Sequence, residues 1–245
     1  MKKISFTLAA AGMFVMGTTT ASAAMLQEEA EASKGFTQVL KEQFIQGGPA
    51  FMGIVLLCLI LGLAVAIERI IYLNLATTNT AKLKQQVEDA LASGGVEAAK
   101  EVCRNTKGPV ASIFYQGLDR STEGLESAEK AVVAYGGVQM GQLEKNVSWL
   151  SLFIAVAPML GFMGTVVGMI QAFNRIETVG DLSPAVVAGG IKVALLTTVF
   201  GLVVAIILQI LYNYIVNKID GIVNRMEDAS IALVDIMATN NSFKA

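Results

Sequence analysis

The residues best placed to do chemistry lie in two apolar stretches. In APMLGFMGTVVGMIQAF, residues 157–173, Gly161, Thr165, Gly168 and Ala172 recur at steps of 4, 3 and 4, with Gly164 among them. In GGIKVALLTTVFGLVVAI, residues 189–206, Ala194, Thr198, Gly201 and Ala205 repeat the same steps. Such spacing puts each set on one helix face. In lipid, where no hydrophobic drive pulls helices together, stripes of small residues let backbones approach closely. A threonine in each stripe, Thr165 and Thr198, allows two chemistries. The hydroxyl can bond back to a carbonyl of its own helix, or it can hold water or a passing polar group along a weakly polar path. Hydroxyls do not titrate near neutral pH, and no Asp or Glu lies in the middle of either stretch. A proton-carrying role therefore requires an acid supplied by another chain.

Other chemistries find little support. The chain has no histidine, which removes His-based triads and the usual zinc and haem ligand sets. No phosphate-cradling glycine loop or metal-ligand cluster is present, so no catalytic residue, metal or cofactor is assigned. The two cysteines, Cys58 in an apolar span and Cys103 in a polar region, read as unpaired thiols that pack as small hydrophobes. A net charge of −2 without a basic patch offers nothing to nucleic acid. Lys192 is the one charge inside the second of the two stretches. A lone lysine at the centre of a span costs about 2.5–3.5 kcal/mol. It lies about two turns from the external end and well off the Thr198 stripe, so it either snorkels outward or pairs with Glu177 or Asp181.

The elements that must position these residues are membrane helices. The 245 residues are 54% hydrophobic and 16% charged, and three stretches reach the roughly 20 apolar residues needed to cross a bilayer. The expected organisation is a signal peptide at 1–23, cleaved after Ala23 or retained as an anchor, and a periplasmic segment at 24–50. A first span follows at 51–73, then a cytoplasmic helical loop at 74–148 and a second span at 149–173. A periplasmic link at 174–184, a third span at 185–216 and a cytoplasmic helical tail at 217–245 complete the chain. Nine Lys and Arg from Arg69, at the end of the first span, through Lys145 in the loop, and three in the tail, against two before the first span and one in the link, put loop and tail in the cytoplasm. In the link, Ser183 is a candidate N-cap and Pro184 suits the first helical position.

Within the loop, Leu83, Val87 and Leu91 recur at helical spacing up to Gly94-Gly95, and Gly108-Pro109 restarts a helix. Val133, Gly136, Met140, Leu143, Val147 and Leu150 step by 3 and 4 into the second span; Ile219, Ile222, Met226, Ala229, Leu233 and Ile236 do the same beyond the third. These seams predict that both helices continue out of the membrane. Each would then be close to fifty residues long, or roughly 70 Å, against a hydrocarbon core of about 30 Å. The fold class is an all-α membrane protein with three transmembrane helices, the second and third extended into a cytoplasmic helical stalk. That stalk can be an antiparallel pair within one chain, a multi-subunit funnel, or both.

The two quoted stretches, in order in the second and third of three spans, resemble the MotA/TolQ/ExbB proton-channel family, most closely its ExbB branch, with weaker support from AAKEVCRNTKGPVASIF, residues 98–114. The resemblance runs from about Gly47 to Tyr214. It implies a homo-oligomer of the bacterial inner membrane, commonly a pentamer, whose second and third spans line a pore. Inside would sit an ExbD-like single-span partner supplying a membrane Asp, with a TonB-like protein receiving the proton-driven motion. Thr165 and Thr198 occupy the positions of the family's pore threonines, with the small residues making room for the partner helix. Where some ExbB proteins carry a Glu shortly before that threonine, this chain has Val193. A TolQ-like or flagellar-type stator, and a non-conducting membrane scaffold, remain as alternatives.

Overall fold

A computed structural model describes residues 35–180 and 184–239, and these are helical with no strand among them. The signal peptide, Asp181, Ser183 and Lys244 lie outside the described residues. The chain divides into two compact units at Pro49 and Ala50. In the first, α1 is Phe36–Gln46, ended at Gly47, whose N–H donates to the carbonyl of Gln43.

Helix α2, Pro49–Ala76, lies in the second unit from Ala50 onward. One stripe, Met52, Val55, Cys58, Gly62, Ala66, Arg69 and Leu73, is buried, while Ile54, Leu57, Ile60, Ile67 and Ile71 are exposed on the other side. An exposed row of branched aliphatics on a helix this long is what lipid contact requires. Helix α3, Thr80–Asn105, is N-capped by Asn79, whose Oδ1 accepts from the Lys82 N–H at 3.1 Å. It is kinked at Gly95 (φ 71°), and Leu83, Val87 and Leu91 all face inward. Pro109 opens α4, Pro109–Arg120. A turn at Ser121–Glu123 leads to α5, Leu125–Glu144. Helix α6 is Val147–Val179. Helix α7, Pro184–Thr239, runs unbroken for 56 residues, about 84 Å at 1.5 Å per residue.

Three helices are long and apolar enough to cross a membrane, so the molecule is an all-α membrane protein. Beyond the bilayer, α7 carries the core of the stalk. Ile215, Ile219, Ile222, Met226, Ala229 and Leu233 are buried against α4 and α5. At Gly117 of α4 an added Cβ would stand 2.6 Å from Val132 of α5 and 2.8 Å from Leu233 of α7. The seam drifts at its end: Met237, not Ile236, is fully inside, because a straight 3.6-residue helix slips relative to a 3.5-residue repeat.

The other expected continuous helix is broken. Between α5 and α6, Lys145 is extended (ψ 137°) and Asn146 is left-handed (φ 66°), a conformation that asparagine tolerates better than most residues. The break resets the helical phase. Leu143, Val147 and Leu150 are buried as predicted, but upstream the inward residues are Ala128, Val132 and Gln139, while Val133 and Met140 of the predicted seam are exposed.

Candidate functional site

Helices α6 and α7 pack as an antiparallel pair along their small residues. An added Cβ on Gly201 would stand 2.6 Å from the Ala157 carbonyl oxygen and 3.2 Å from Gly161 Cα. One on Gly161 would stand 2.9 Å from the Thr197 carbonyl oxygen and 3.1 Å from Thr198 Cα, and one on Gly164 would stand 2.6 Å from Thr197 Oγ1. Gly168 faces Ala194 at 3.4 Å, and a Cβ on Gly190 would collide with Ala172. Position by position, rising numbers on α6 meet falling numbers on α7, so one register runs along the whole seam.

The threonines divide their roles. Thr165 Oγ1 donates to the carbonyl of Phe162, three residues back on its own helix, at 2.6 Å. Thr198 Oγ1 crosses to the facing helix and donates to the Gly161 carbonyl at 3.2 Å. Spacing alone did not single out Thr197, yet it is the buried hydroxyl of the seam, only 2% exposed. Its Oγ1 donates to the Ala194 carbonyl at 2.7 Å and lies 3.3 Å from the Gly161 carbonyl. Two hydroxyls therefore converge on the carbonyl of Gly161, where a side chain would press on the Thr197–Thr198 backbone.

This geometry keeps Gly161, Gly168, Ala172, Ala194 and Gly201 of the expected stripes on the facing surfaces, but Gly164 and Thr197 stand where Thr165 and Thr198 were expected. The face of α6 turned to α7 is Ala157, Gly161, Gly164, Gly168 and Ala172, with Thr165 half-buried at its edge. On α7 it is Gly190, Ala194, Thr197 and Gly201, with Thr198 and Ala205 half-buried beside it; Leu208, further along, packs instead against Gly62 of α2. The spacing 194–197–201 fits a helix as well as 194–198–201; only the close approach at Gly161 and Gly201 distinguishes them. Pro158 withdraws one N–H from the α6 ladder a turn before Gly161. Lys192 is exposed, away from the seam, and among the described residues no carboxylate pairs with it.

Nothing in the seam titrates near neutral pH; its polar groups are hydroxyls and carbonyls. No group of three or more potential metal ligands occurs among the described residues, and both cysteines are free and buried. At the far end of α2, Arg69 is 4% exposed. Its guanidinium donates to Glu68 at 2.6 and 2.7 Å, reaches the Gln142 carbonyl at 3.3 Å, and lies 4.6 Å over the Tyr72 ring. It thereby ties α2 to the last turn of α5, just before the break that sets the angle of α6.

Three long apolar helices, two of them joined by a non-titrating seam of small residues, define a polytopic helical membrane protein built for close helix contact. The family model for the MotA/TolQ/ExbB proton channel family matches residues 105–228, from the end of α3 through α4, α5 and α6 into the stalk part of α7, and the chain belongs to that family. A protein of Methanothermobacter thermautotrophicus named for its homology to ExbB is 35% identical over 170 residues, covering 69% of this chain and 60% of that protein. The biopolymer transport protein ExbB of Neisseria meningitidis is 29% identical over 193 residues, covering 72% of this chain and 86% of its own length. An ExbB-like protein of Synechocystis is 28% identical over 185 residues, with 74% and 72% covered. The chain thus spans less than two thirds of the first of these relatives and more of the other two.

Proposed function

We propose that this protein is an ExbB-like stator subunit of a bacterial inner-membrane complex that uses the proton motive force to energise TonB-dependent transport across the outer membrane. In this reading its N-terminus is periplasmic and its C-terminus cytoplasmic. Five copies assemble with the second and third spans inward. An ExbD-like single-span protein sits within and contributes a membrane Asp, and a TonB-like protein carries the output.

The observation that carries the reading is the α6–α7 seam. It is narrow, mildly polar and lacks any acid or base of its own, while Thr197 and Thr198 bring two hydroxyls to one carbonyl. A proton can neither be bound nor released there without a carboxylate from a partner. Thr165 and Thr198, half-buried at the edges of the seam, are the residues that a partner helix would meet. Gly161, Gly164, Gly168, Ala194, Gly201 and Ala205 keep the wall thin. Lys192 lies off this line and takes no part.

The test is Thr198→Val in cells producing the partner proteins, read by co-purification of the single-span partner and by uptake that depends on the proton motive force. Assembly is expected to persist, with uptake lowered about fivefold for the loss of one hydroxyl hydrogen bond worth about 1 kcal/mol. Unchanged uptake refutes the pathway role of the threonine. Uptake that continues when the partner's membrane Asp is replaced by Asn refutes the borrowed acid.

A further inference from the structure

Where α2 leaves the membrane, its last turn, the start of α3 and the α3–α4 turn enclose a cleft of about 460 Å³. Two cations line it from different parts of the chain: Lys82 from the first turn of α3 and Lys107 from the turn before α4. The rest of the lining is hydroxyl, carboxamide and aliphatic, without a single carboxylate. Among the described residues neither ammonium forms an ion pair and the Gln86 side chain has no hydrogen-bond partner. Glu101 is not among the lining residues; its carboxylate accepts from the Asn105 side chain at 3.2 Å. Folding has therefore gathered two positive charges with no negative charge between them, and the floor beneath them is built. Thr78 Oγ1 donates to the Lys107 carbonyl, and the left-handed Gly108 (φ 122°) packs against Thr78 with no room for a side chain.

The depth of the cleft identifies what meets it. Tyr72 on α2 and Trp149 at the start of α6, both exposed, mark the level of the membrane interface, where aromatic side chains collect. Leu75, 74% exposed, stands on the rim of the cleft, one turn beyond Tyr72. A ligand seated here would have its charge between the lysines and an apolar portion running over Leu75 into the bilayer. We propose that the cleft is a site for the anionic phosphate headgroup of a membrane phospholipid. Its logic does not depend on ion flow or on the proposed partners; it requires only that α2 crosses the membrane.

The experiment uses the full chain, equilibrated in detergent with equal amounts of phosphatidylglycerol and phosphatidylcholine, with retained lipid counted by native mass spectrometry. Wild type is expected to retain phosphatidylglycerol preferentially, and each lysine removed should cost about fivefold of that preference, so that K82Q/K107Q binds the two lipids alike. Lys84, which is half-buried, pairs with Glu88 and does not line the cleft, so K84Q should keep the preference. Equal retention of both lipids by wild type, or an equal loss in K84Q, overturns the assignment. Displacement of phosphatidylglycerol by excess inorganic phosphate overturns it too, by showing a site for the soluble ion. Because Lys82 and Lys107 are solvent-facing, the double variant should unfold at the wild-type temperature; a lost preference accompanied by a lowered unfolding temperature would count against the site.

Discussion

Replacing Gly201 by alanine adds one methyl group to the α6–α7 seam and should separate the helices there. The new Cβ would stand 2.6 Å from the Ala157 carbonyl oxygen, about 0.8 Å short of the 3.4 Å at which ordinary contact begins, and 3.2 Å from Gly161 Cα. Both neighbours are backbone, so no rotamer change relieves the overlap, and one helix must move. Overpacking of this kind costs about 1–3 kcal/mol, offset in part by the roughly 0.5–1 kcal/mol that alanine gains over glycine inside a helix. The net expectation is a loss of about 1–2 kcal/mol. The same change at Gly141 on α5, where an added Cβ meets nothing within 4 Å, should show only the helix gain and stabilise. The assay is thermal unfolding of the full chain in detergent, followed by helical circular dichroism and by the fluorescence of Trp149, the only tryptophan. Opposite signs for Gly201→Ala and Gly141→Ala are the expected result. If Gly201→Ala is as stable as wild type while Gly141→Ala gains stability, the seam is not as close as described, and the reasoning about its thin wall fails with it.

Arg69→Met should loosen the joint between α5 and α6. It removes a buried guanidinium that holds Glu68 and the Gln142 carbonyl together, at a cost of about 1–3 kcal/mol. Arg69→Lys should not restore it, since an ammonium lacks the planar fork; faster tryptic cleavage at Lys145 in both variants is the readout, and unchanged cleavage would refute the role. Burial pushes the Cys103 thiol up to about 12. Its contribution is therefore fully present below the ordinary thiol range and is lost as pH rises towards that value. Maleimide labelling of Cys103 at pH 8 should be slow in the folded protein and fast after unfolding, measured by mass spectrometry. Lys100 donates to Asp119 and Glu97, at 2.8 and 3.1 Å, and its hydrogen bond holds the Asp119 carboxyl below the usual carboxylate range while Lys100 itself is raised. What the pair adds to stability is thus present above the ordinary carboxylate range and lost as Asp119 protonates in acid, and lost again as Lys100 deprotonates in alkali. Asp119→Asn should lower the unfolding temperature at neutral pH, with the difference vanishing in acid; a difference that persists at low pH would contradict this.

The three spans were legible because lipid leaves the chain so few options: a stretch that must satisfy its own backbone in hydrocarbon has to be long, helical and apolar. The stalk seam of α7 was legible for a similar reason, since Ile219, Ile222, Met226, Ala229 and Leu233 keep their spacing on an unbroken helix. The break at Lys145–Asn146 was not. Neither residue is glycine or proline, and what sets the turn is tertiary: Arg69 of α2 binding the carbonyl end of α5. Once the chain breaks there, the phase of everything upstream is free, and the 3-4 spacing of Val133, Gly136 and Met140 no longer says which way they point.

Thr197 escaped notice for a subtler reason. Adjacent threonines lie about 100° apart on a helix, and both complete a stripe with Ala194 and Gly201, so the azimuth of α7 decides between them. That azimuth is fixed where Gly201 meets Ala157 and Gly161, a contact between residues far apart in the sequence. The outcome bears on mechanism. The Gly161 carbonyl already takes part in the α6 backbone ladder and is approached by both hydroxyls, while Thr197 has a second, shorter bond to the Ala194 carbonyl. Under the proposed function, Thr198 would be free to turn its hydroxyl from Gly161 toward a partner's carboxylate without leaving a buried acceptor bare, because Thr197 stays in place. On that proposal a single threonine would have to choose between holding the helix pair and serving the ion, whereas the Thr197–Thr198 pair would divide those tasks between a buried donor and one at the edge.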